Sequence, residues 1–291
     1  MKFISRLGNV LPKKNKATTV GLEHNANQVS AHLSACANCD TPLEDKFCPS
    51  CGQRYRSERL SLKMLLIDIP SQWLNLDKGF FYTFFQHFKS PGSVAKRHVE
   101  GQRVIFTNPL TYYLIGAAAQ LLMLFVFKDV LSEKMIAQVQ QSPEMLESLK
   151  GLLGENAPKK YADLYLSVIN QGYTYLGFIF LCIPFALFLR LFSKKHRQVY
   201  NTAETLVFSF YTMGHFVLCT GLLGFISMMI NPDVHAPISV LICFVFGWLS
   251  CRGFYGKAHH NGFASFFALV LTFVTFLSTL VIMMGIALHT R

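Results

Sequence analysis

Residues 263–288 read FASFFALVLTFVTFLSTLVIMMGIAL, a stretch with no charged side chain. An α-helix rises 1.5 Å per residue, so about 20 apolar residues cross a hydrocarbon core of about 30 Å. The stretch therefore predicts a transmembrane helix. The composition of the whole chain agrees, because 52% of its 291 residues are hydrophobic and only 15% are charged.

Four other apolar stretches of similar length precede this one. Asn108 and Pro109 are typical of a helix start, because Asn caps helices and Pro suits the first helical position. Pro184 predicts a kink in the second stretch. We therefore predict an all-α polytopic membrane domain at residues 108–291 with five transmembrane helices: Pro109–Phe127, Gly172–Phe192, Thr205–Ile230, Pro237–Tyr255 and Phe263–Leu288.

The distribution of Lys and Arg predicts the orientation of these spans. Fifteen of these residues precede residue 108, four lie at the end of the second span or between it and the third, and two lie at the end of the fourth span or between it and the fifth. The loop at 128–171 holds five. Because positive charge accumulates on the cytoplasmic side, we predict a cytoplasmic N-terminus and an outer C-terminus.

Four cysteines in two Cys-x-x-Cys pairs predict a metal site in the N-terminal region: Cys36, Cys39, Cys48 and Cys51. Each pair offers two thiolates from one tight turn, and two such pairs can surround Zn²⁺ tetrahedrally. Disulfides or a redox dithiol are the alternatives. Arg6 and Gly8 interrupt the only apolar patch near the N-terminus, so no secretory signal is evident, and a cytosolic location favours metal. We predict one structural Zn²⁺.

The same region predicts a small zinc ribbon at residues 36–54, preceded by a flexible basic tail at 1–35. A ribbon of this size cannot bury a core of its own, so the metal would supply most of its folding free energy. Gly52 suits the left-handed backbone of a knuckle turn, and Asp40 tolerates it. Lys46 is the one basic residue from Cys36 to Gln53. Since the orientation bias explains the net charge of +11, we do not expect a nucleic-acid partner.

Residues 55–107 are predicted to form an interfacial amphipathic helical region. Apolar residues recur at helical spacing from Leu62 to Phe88, but Pro70 and Gly79 interrupt the pattern before it reaches spanning length. An aromatic face with basic edges is typical of the bilayer interface. The alternatives are a hairpin packed under the spans and a segment that re-enters the membrane. The loop at 128–171 predicts amphipathic helices that cover the spans, without a binding site.

Few polar residues fall within the predicted spans. Glu204 and His215 lie about three turns apart on one face of the third span, which is about 16 Å along the axis and too far for a catalytic dyad. Arg190 and Arg252 end neighbouring spans at the level of Glu204. We predict that Glu204 contacts Arg252 or Arg190, and the alternative is that each side chain reaches solvent separately. His215 is either a packing residue or a proton or ligand site.

An ordered set of short motifs resembles a known family. The motifs are Cys48-Pro-Ser-Cys-Gly-Gln53, Ser61-Leu-Lys-Met-Leu-Leu66, Leu76-Asp-Lys-Gly-Phe80, Ser90-Pro-Gly92, Glu100-Gly-Gln-Arg103, Thr107-Asn-Pro-Leu110, Glu204-Thr-Leu-Val-Phe208 and Arg252-Gly-Phe-Tyr-Gly256. Together they resemble the bacterial membrane proteins grouped as domain of unknown function 3667. The resemblance implies a zinc-ribbon, multi-span inner-membrane protein and implies no activity.

Three functional classes remain open from the sequence. We predict a non-catalytic binding, adaptor or regulatory protein, whose partners are the lipid bilayer and a cytoplasmic or membrane protein. A small-solute transporter or channel component is the alternative, although no span carries an acidic residue near its middle. An intramembrane enzyme is the third, although no His-Glu-x-x-His or Gly-x-Ser-x-Gly motif is present.

Overall fold

A computed structural model describes residues 35–43, 45–55, 58–64, 76–169 and 177–289. The predicted tail before Ala35, the apolar positions between Met64 and Leu76, the start of the second predicted span and Arg291 lie outside the described residues. The helices in order are α1 Leu76–Lys89, α2 Ser93–Val99, α3 Pro109–Val126, α4 Lys128–Gln141, α5 Pro143–Leu153, α6 Ala157–Val168, α7 Ile183–Phe192, α8 Lys194–Val199, α9 Thr202–Ile230, α10 His235–His259 and α11 Gly262–His289.

Four helical stretches of the described chain are long and apolar enough to cross a membrane. They are Pro109–Val126, Thr202–Ile230, Pro232–His259 and Gly262–Leu288. The second predicted span is described from Gly177 onward as a shorter apolar helix, Ile179–Phe192. Residues Phe178–Cys182 of this span form one π-helical turn, and α7 begins after it at Ile183, immediately before Pro184. A multi-pass membrane protein is thus supported, and a fifth span stays a prediction.

The central helix is α9, whose span window is 56% buried, against 33% for α3 and 22% for α10 and α11. It starts with a capping box, in which the Asn201 side chain accepts from the Glu204 amide and Glu204 accepts from the Asn201 amide. α3 lies close along it, because a Cβ on Gly214 would sit 2.9 Å from Tyr113 Cα. Small residues allow such close helix contacts in membranes.

The four spans place the other elements on two sides, here named the ribbon side, where the cysteine cluster lies, and the far side. α1, α2 and α8 lie on the ribbon side, at the starts of α3 and α9. On the far side, α4, α5 and α6 form the far-side cap, which packs on the ends of the spans. The helices predicted for this loop are present there.

The α1–α2 hairpin packs under the spans, which is one of the predicted alternatives, and its location at the bilayer interface stays a prediction. Phe80 and Phe84 pack against the core beneath the spans, whereas Phe81, Phe85 and Phe88 are exposed. The turn between the helices is fixed on α10, because Gly92 has φ 80° and a Cβ there would overlap the Ser250 carbonyl oxygen. The hairpin is therefore packed on one face and presents an aromatic face on the other.

Candidate metal centre and its attachment to the membrane domain

The four predicted cysteines meet in one cluster. Their sulfur atoms all lie within 4.8 Å of one another. The Cys36 and Cys51 sulfurs are 3.6 Å apart, and those of Cys39 and Cys48 are 3.5 Å apart. Zn–S bonds of about 2.3 Å in a tetrahedron place sulfurs about 3.8 Å apart. All four cysteines are free thiols, so the cluster fits one tetrahedral metal ion.

The two knuckles are built alike, which explains how this short sequence gathers four sulfurs. The Asp40 amide donates to the Cys36 carbonyl at 2.8 Å, and the Gly52 amide donates to the Cys48 carbonyl at 2.9 Å. Asp40 has φ 59° and Gly52 has φ 73°. Both predicted left-handed positions are therefore confirmed, and each closes a turn whose two cysteines point to the same centre.

The environment of the thiols differs across the cluster. The Thr41 hydroxyl hydrogen-bonds to the Cys39 sulfur at 3.3 Å and lowers the pKa of Cys39 to about 6. Burial raises the pKa of Cys51 to about 12. The Cys39 thiol thus gives up its proton before the Cys51 thiol. A metal cation would displace the protons of all four, because only thiolates act as ligands.

Each knuckle also holds the loop at 101–105, which joins α2 to α3. The Asn38 side-chain oxygen accepts from the Ile105 amide at 3.2 Å. Gln53 donates to the Gly101 carbonyl at 2.7 Å and accepts from the Arg103 amide at 3.0 Å. We call these contacts the clasp. They connect the positions of the metal ligands to the backbone that leads into the first span.

A second attachment links the ribbon's C-terminal extension to the central helix. The Arg59 guanidinium donates to both carboxylate oxygens of Glu204, at 3.0 Å through Nε and 2.5 Å through Nη2. The Glu204 side chain is 3% exposed and that of Arg59 is 63% exposed. Asn201 adds a contact, since its side-chain amide donates to the Leu60 carbonyl at 2.8 Å.

The predicted pairing of Glu204 with Arg252 or Arg190 is therefore wrong. Arg190 donates to the Tyr200 carbonyl at 2.6 Å, and the Arg252 guanidinium lies 5.9 Å from the Trp248 ring centre. The Glu204 carboxylate is satisfied by Arg59, which is 145 residues away in sequence. Nothing in the spacing of the sequence pairs two residues at that separation.

His215 is buried in an aromatic cluster rather than beside Glu204. Its Nδ1 lies 2.7 Å from the Tyr112 hydroxyl, and its ring stacks on His87 with centroids 4.8 Å apart. Phe88 and Phe246 pack around the same ring at 4.6 Å. This environment is typical of a packing residue, and a proton or ligand role for His215 stays a prediction, since its Nε2 is buried without a hydrogen-bond partner among the described residues.

Two further histidines on the ribbon side belong to this region. His87 Nδ1 contacts the Thr83 carbonyl at 2.8 Å, and His98 Nδ1 contacts the Tyr211 hydroxyl at 3.0 Å. Burial lowers the pKa of His87 to about 4. Burial, followed by the charge of Arg103, lowers the pKa of His98 to about 3. Both side chains are therefore neutral near pH 7.

Sequence reasoning missed the residues that attach the ribbon: Asn38, Gln53 and Arg59. Asn38 lies inside the first knuckle and Gln53 follows the second, so proximity to the ligands was the one signal available. Asn and Gln in a knuckle are common surface residues, and their role appears only when the loop at 101–105 is placed against them. His87 lies among the aromatic residues of α1, so its sequence context does not indicate a distinct role.

Within the part of the chain that the structure describes, the protein is helical, with four helices able to cross a membrane and a four-cysteine site that could hold a metal ion. The family described as Protein of unknown function (DUF3667) matches residues 77–121, which confirms the resemblance to that family. The matched segment contains the α1–α2 hairpin and the clasped loop. No curated protein and no solved structure matches the chain.

Proposed function

We propose that this chain is a non-catalytic adaptor of the bacterial inner membrane, in which a Zn²⁺-bound ribbon forms a fixed cytoplasmic platform for a protein partner. The four-thiolate site is of the type that structural zinc occupies. A closed Cys₄ site leaves no open coordination position, so its role here is to shape the ribbon. The orientation follows from the distribution of Lys and Arg.

The clasp is the observation that carries this proposal. Zinc alone is sufficient to fold a ribbon, and it does not require the ribbon to touch the rest of the protein. Here both knuckles hydrogen-bond to the loop at 101–105, and Arg59 pairs with Glu204 at the start of the central helix. The ribbon is thus fixed relative to the spans, as a platform requires.

The surface of the platform favours a protein partner. Phe47 is 57% exposed on the ribbon and Val104 is 51% exposed on the clasped loop. Lys46 is the one basic residue between Cys36 and Gln53, which disfavours a nucleic acid. Among the described residues, the cysteine cluster is the one group of three or more His, Cys, Asp or Glu side chains close enough to hold a metal. This distribution favours binding over metal-dependent catalysis.

In-cell photocrosslinking tests the proposal. A photoreactive residue replaces Phe47 in the full chain, with the same residue at exposed Leu152 of the far-side cap as the control position. We expect a discrete cross-linked protein from position 47 and a different pattern or none from position 152. Adding Arg59→Gln and Gln53→Ala should weaken the cross-link while the zinc content is unchanged. A cross-link that survives loss of the metal and of both attachments would contradict the platform.

Transport of a small solute is the second candidate, because a cavity of about 660 Å³ lies among the spans and the far-side cap. Sites for small ligands have volumes of about 300–1,000 Å³. Uptake of labelled solutes by proteoliposomes separates the two functions. Activity that is independent of the ribbon would favour transport over the platform.

A further inference from the structure

The far-side cavity is bounded by spans on one side and by the far-side cap on the other. Its lining comes from α3, α9, α10 and α11, together with α4, α5 and α6. Three apolar positions of α4, Leu131, Met135 and Val139, line this space, which has a volume of about 660 Å³. Leu131 also packs against the buried Met123, Leu124 and Met228 at the edge of the cavity.

The lining is mostly apolar and adaptable. Five methionines contribute to it: Met123, Met135, Met145, Met213 and Met228. Methionine side chains are flexible and polarisable, so they conform to apolar ligands of varied shape. At the level of the spans, the Thr220 hydroxyl donates to the Gln120 side-chain oxygen at 3.4 Å, and the Thr272 hydroxyl donates to the Ala268 carbonyl, so these polar groups are partnered within the protein. This part of the cavity suits a hydrocarbon chain.

The polar groups collect where the cap meets the loop between α9 and α10. Lys134 of α4 pairs with Asp233, and His235 lies two residues farther along. The Lys134 side chain is 25% exposed, whereas that of Asp233 is 78% exposed. The cation is therefore the sheltered partner, and the carboxylate can turn to solvent at little cost. An anion could then take its place on Lys134.

Two of the spans that line the cavity, α10 and α11, are also the spans least covered by the rest of the protein. The α10 and α11 windows are only 22% buried within the protein, and α10 contributes Ser239, Val240 and Cys243 to the lining. A ligand that partitions into the bilayer would meet these helices first. A hydrophilic solute would have to leave water for a methionine-rich space.

From these observations we infer that the far-side cavity binds a single amphiphile, with its hydrocarbon tail among the methionines and an anionic head at Lys134 in place of the Asp233 carboxylate. The inference concerns the spans and the cap, and it does not rest on the proposed role of the ribbon.

The test measures binding of three probes to the purified full chain in a non-ionic detergent. Oleate has the tail and the anionic head, oleyl alcohol has the tail with a neutral head, and inorganic phosphate has the charge alone. Displacement of a fluorescent fatty acid gives the affinities. We expect oleate to bind at least tenfold more tightly than oleyl alcohol, and phosphate not to compete. Competition by phosphate as strong as that by oleate would overturn the inference.

Two variants, each with a matched control, test where oleate binds. Ser239→Phe fills the cavity and should weaken oleate binding at least tenfold, whereas Ile238→Phe, on the exposed neighbouring position, should not. Lys134→Gln should weaken oleate at least fivefold and leave oleyl alcohol unchanged, and Lys128→Gln should change neither. Should Ser239→Phe fail to fold, the Lys134 and Lys128 pair decides. Equal oleate binding by both lysine variants would refute the site.

Discussion

The two sides of this protein are held by different forces. On the ribbon side, directional polar contacts fix the ribbon: two knuckles hydrogen-bond to one loop, and a buried carboxylate pairs with Arg59. On the far side, the cap covers the spans with an apolar face and leaves a cavity of about 660 Å³. Polar contacts define one geometry, whereas an apolar cover tolerates a void that a ligand can fill.

Loss of the metal should have the largest effect, and the effect should be confined to the ribbon side. Structural zinc contributes about 10–16 kcal/mol of apparent folding free energy in small zinc domains, so Cys48→Ser should unfold the ribbon. We expect about one zinc per chain in the unmodified protein and none in the variant. Hydrogen exchange should become fast in residues 36–54 and in the clasped loop at 101–105.

Cys243→Ser provides the matched control, since Cys243 lies in a span and outside the cluster. It should retain the metal. If the loop at 101–105 keeps its protection after the metal is lost, the clasp contributes nothing to that loop and the contrast between the two sides fails.

The next largest difference should come from adding a single methyl group, which we expect to destabilise the ribbon side and not the far side. Gly92→Ala places Cβ against the backbone of α10 and forces an alanine to φ 80°, so we expect a loss of about 3 kcal/mol or more. Gly151→Ala in the far-side cap meets nothing within 4 Å and should stabilise its helix by up to about 1 kcal/mol. Thermal unfolding in detergent measures both.

The control for backbone conformation is Gly256→Ala, because Gly256 has φ 72° with nothing within 4 Å of a Cβ. Gly256→Ala should lower the free energy of unfolding by about 1–2 kcal/mol, which is the cost of the left-handed backbone conformation alone. A Gly92→Ala loss no greater than this would mean that the hairpin turn is not tightly packed on α10.

Removing the ion pair on each side should change the free energy of unfolding by smaller amounts, and the two amounts should differ. Arg59→Gln leaves the buried Glu204 carboxylate with the Asn201 amide, and we expect it to cost about 1–2 kcal/mol after allowance for the exposure of Arg59. Asp233→Asn on the far side should cost about 0.5 kcal/mol or less, since its carboxylate is mostly exposed. Combining Arg59→Gln with Glu204→Gln should recover about 1 kcal/mol or more. If the losses of stability from the two single variants simply add in the double variant, the contact between Arg59 and Glu204 does not stabilise the protein.

Mild acidification should also weaken the ribbon side, by an amount that grows as the pH falls. The pKa values of buried His87 and His98 are lowered to about 4 and about 3 from an ordinary 6.5. Because the unfolded chain takes up these protons first, stability is full above about pH 6.5 and falls as the pH drops towards 4. The slope is at most about 1.4 kcal/mol per pH unit for each histidine.

His98→Gln should reduce this pH dependence without abolishing it, because His87 still titrates. The measurement is thermal unfolding from pH 7 to pH 5, above the acid range in which the thiolates would release zinc. A variant whose profile matches that of the unmodified protein would exclude His98 as a contributor.

Local patterns in the sequence predicted the elements whose formation depends on near neighbours. The run at 263–288 became α11 because a bilayer-length apolar sequence satisfies its backbone only as a helix. The Cys-x-x-Cys pairs became two knuckles because Asp40 and Gly52 can adopt a positive φ. The aromatic spacing of residues 80–88 likewise predicted a helix, which is α1.

The sequence alone thus determined an all-helical membrane class, a four-cysteine site and a resemblance to one family. Tertiary structure alone decided that Glu204 pairs with Arg59, that Asn38 and Gln53 hold the loop at 101–105, and that a cavity lies between the far-side cap and the spans. The reason is distance along the chain. Helix, turn and knuckle signals act within a few residues, whereas these contacts join positions 48 to 145 residues apart, which only the packing of the spans brings together.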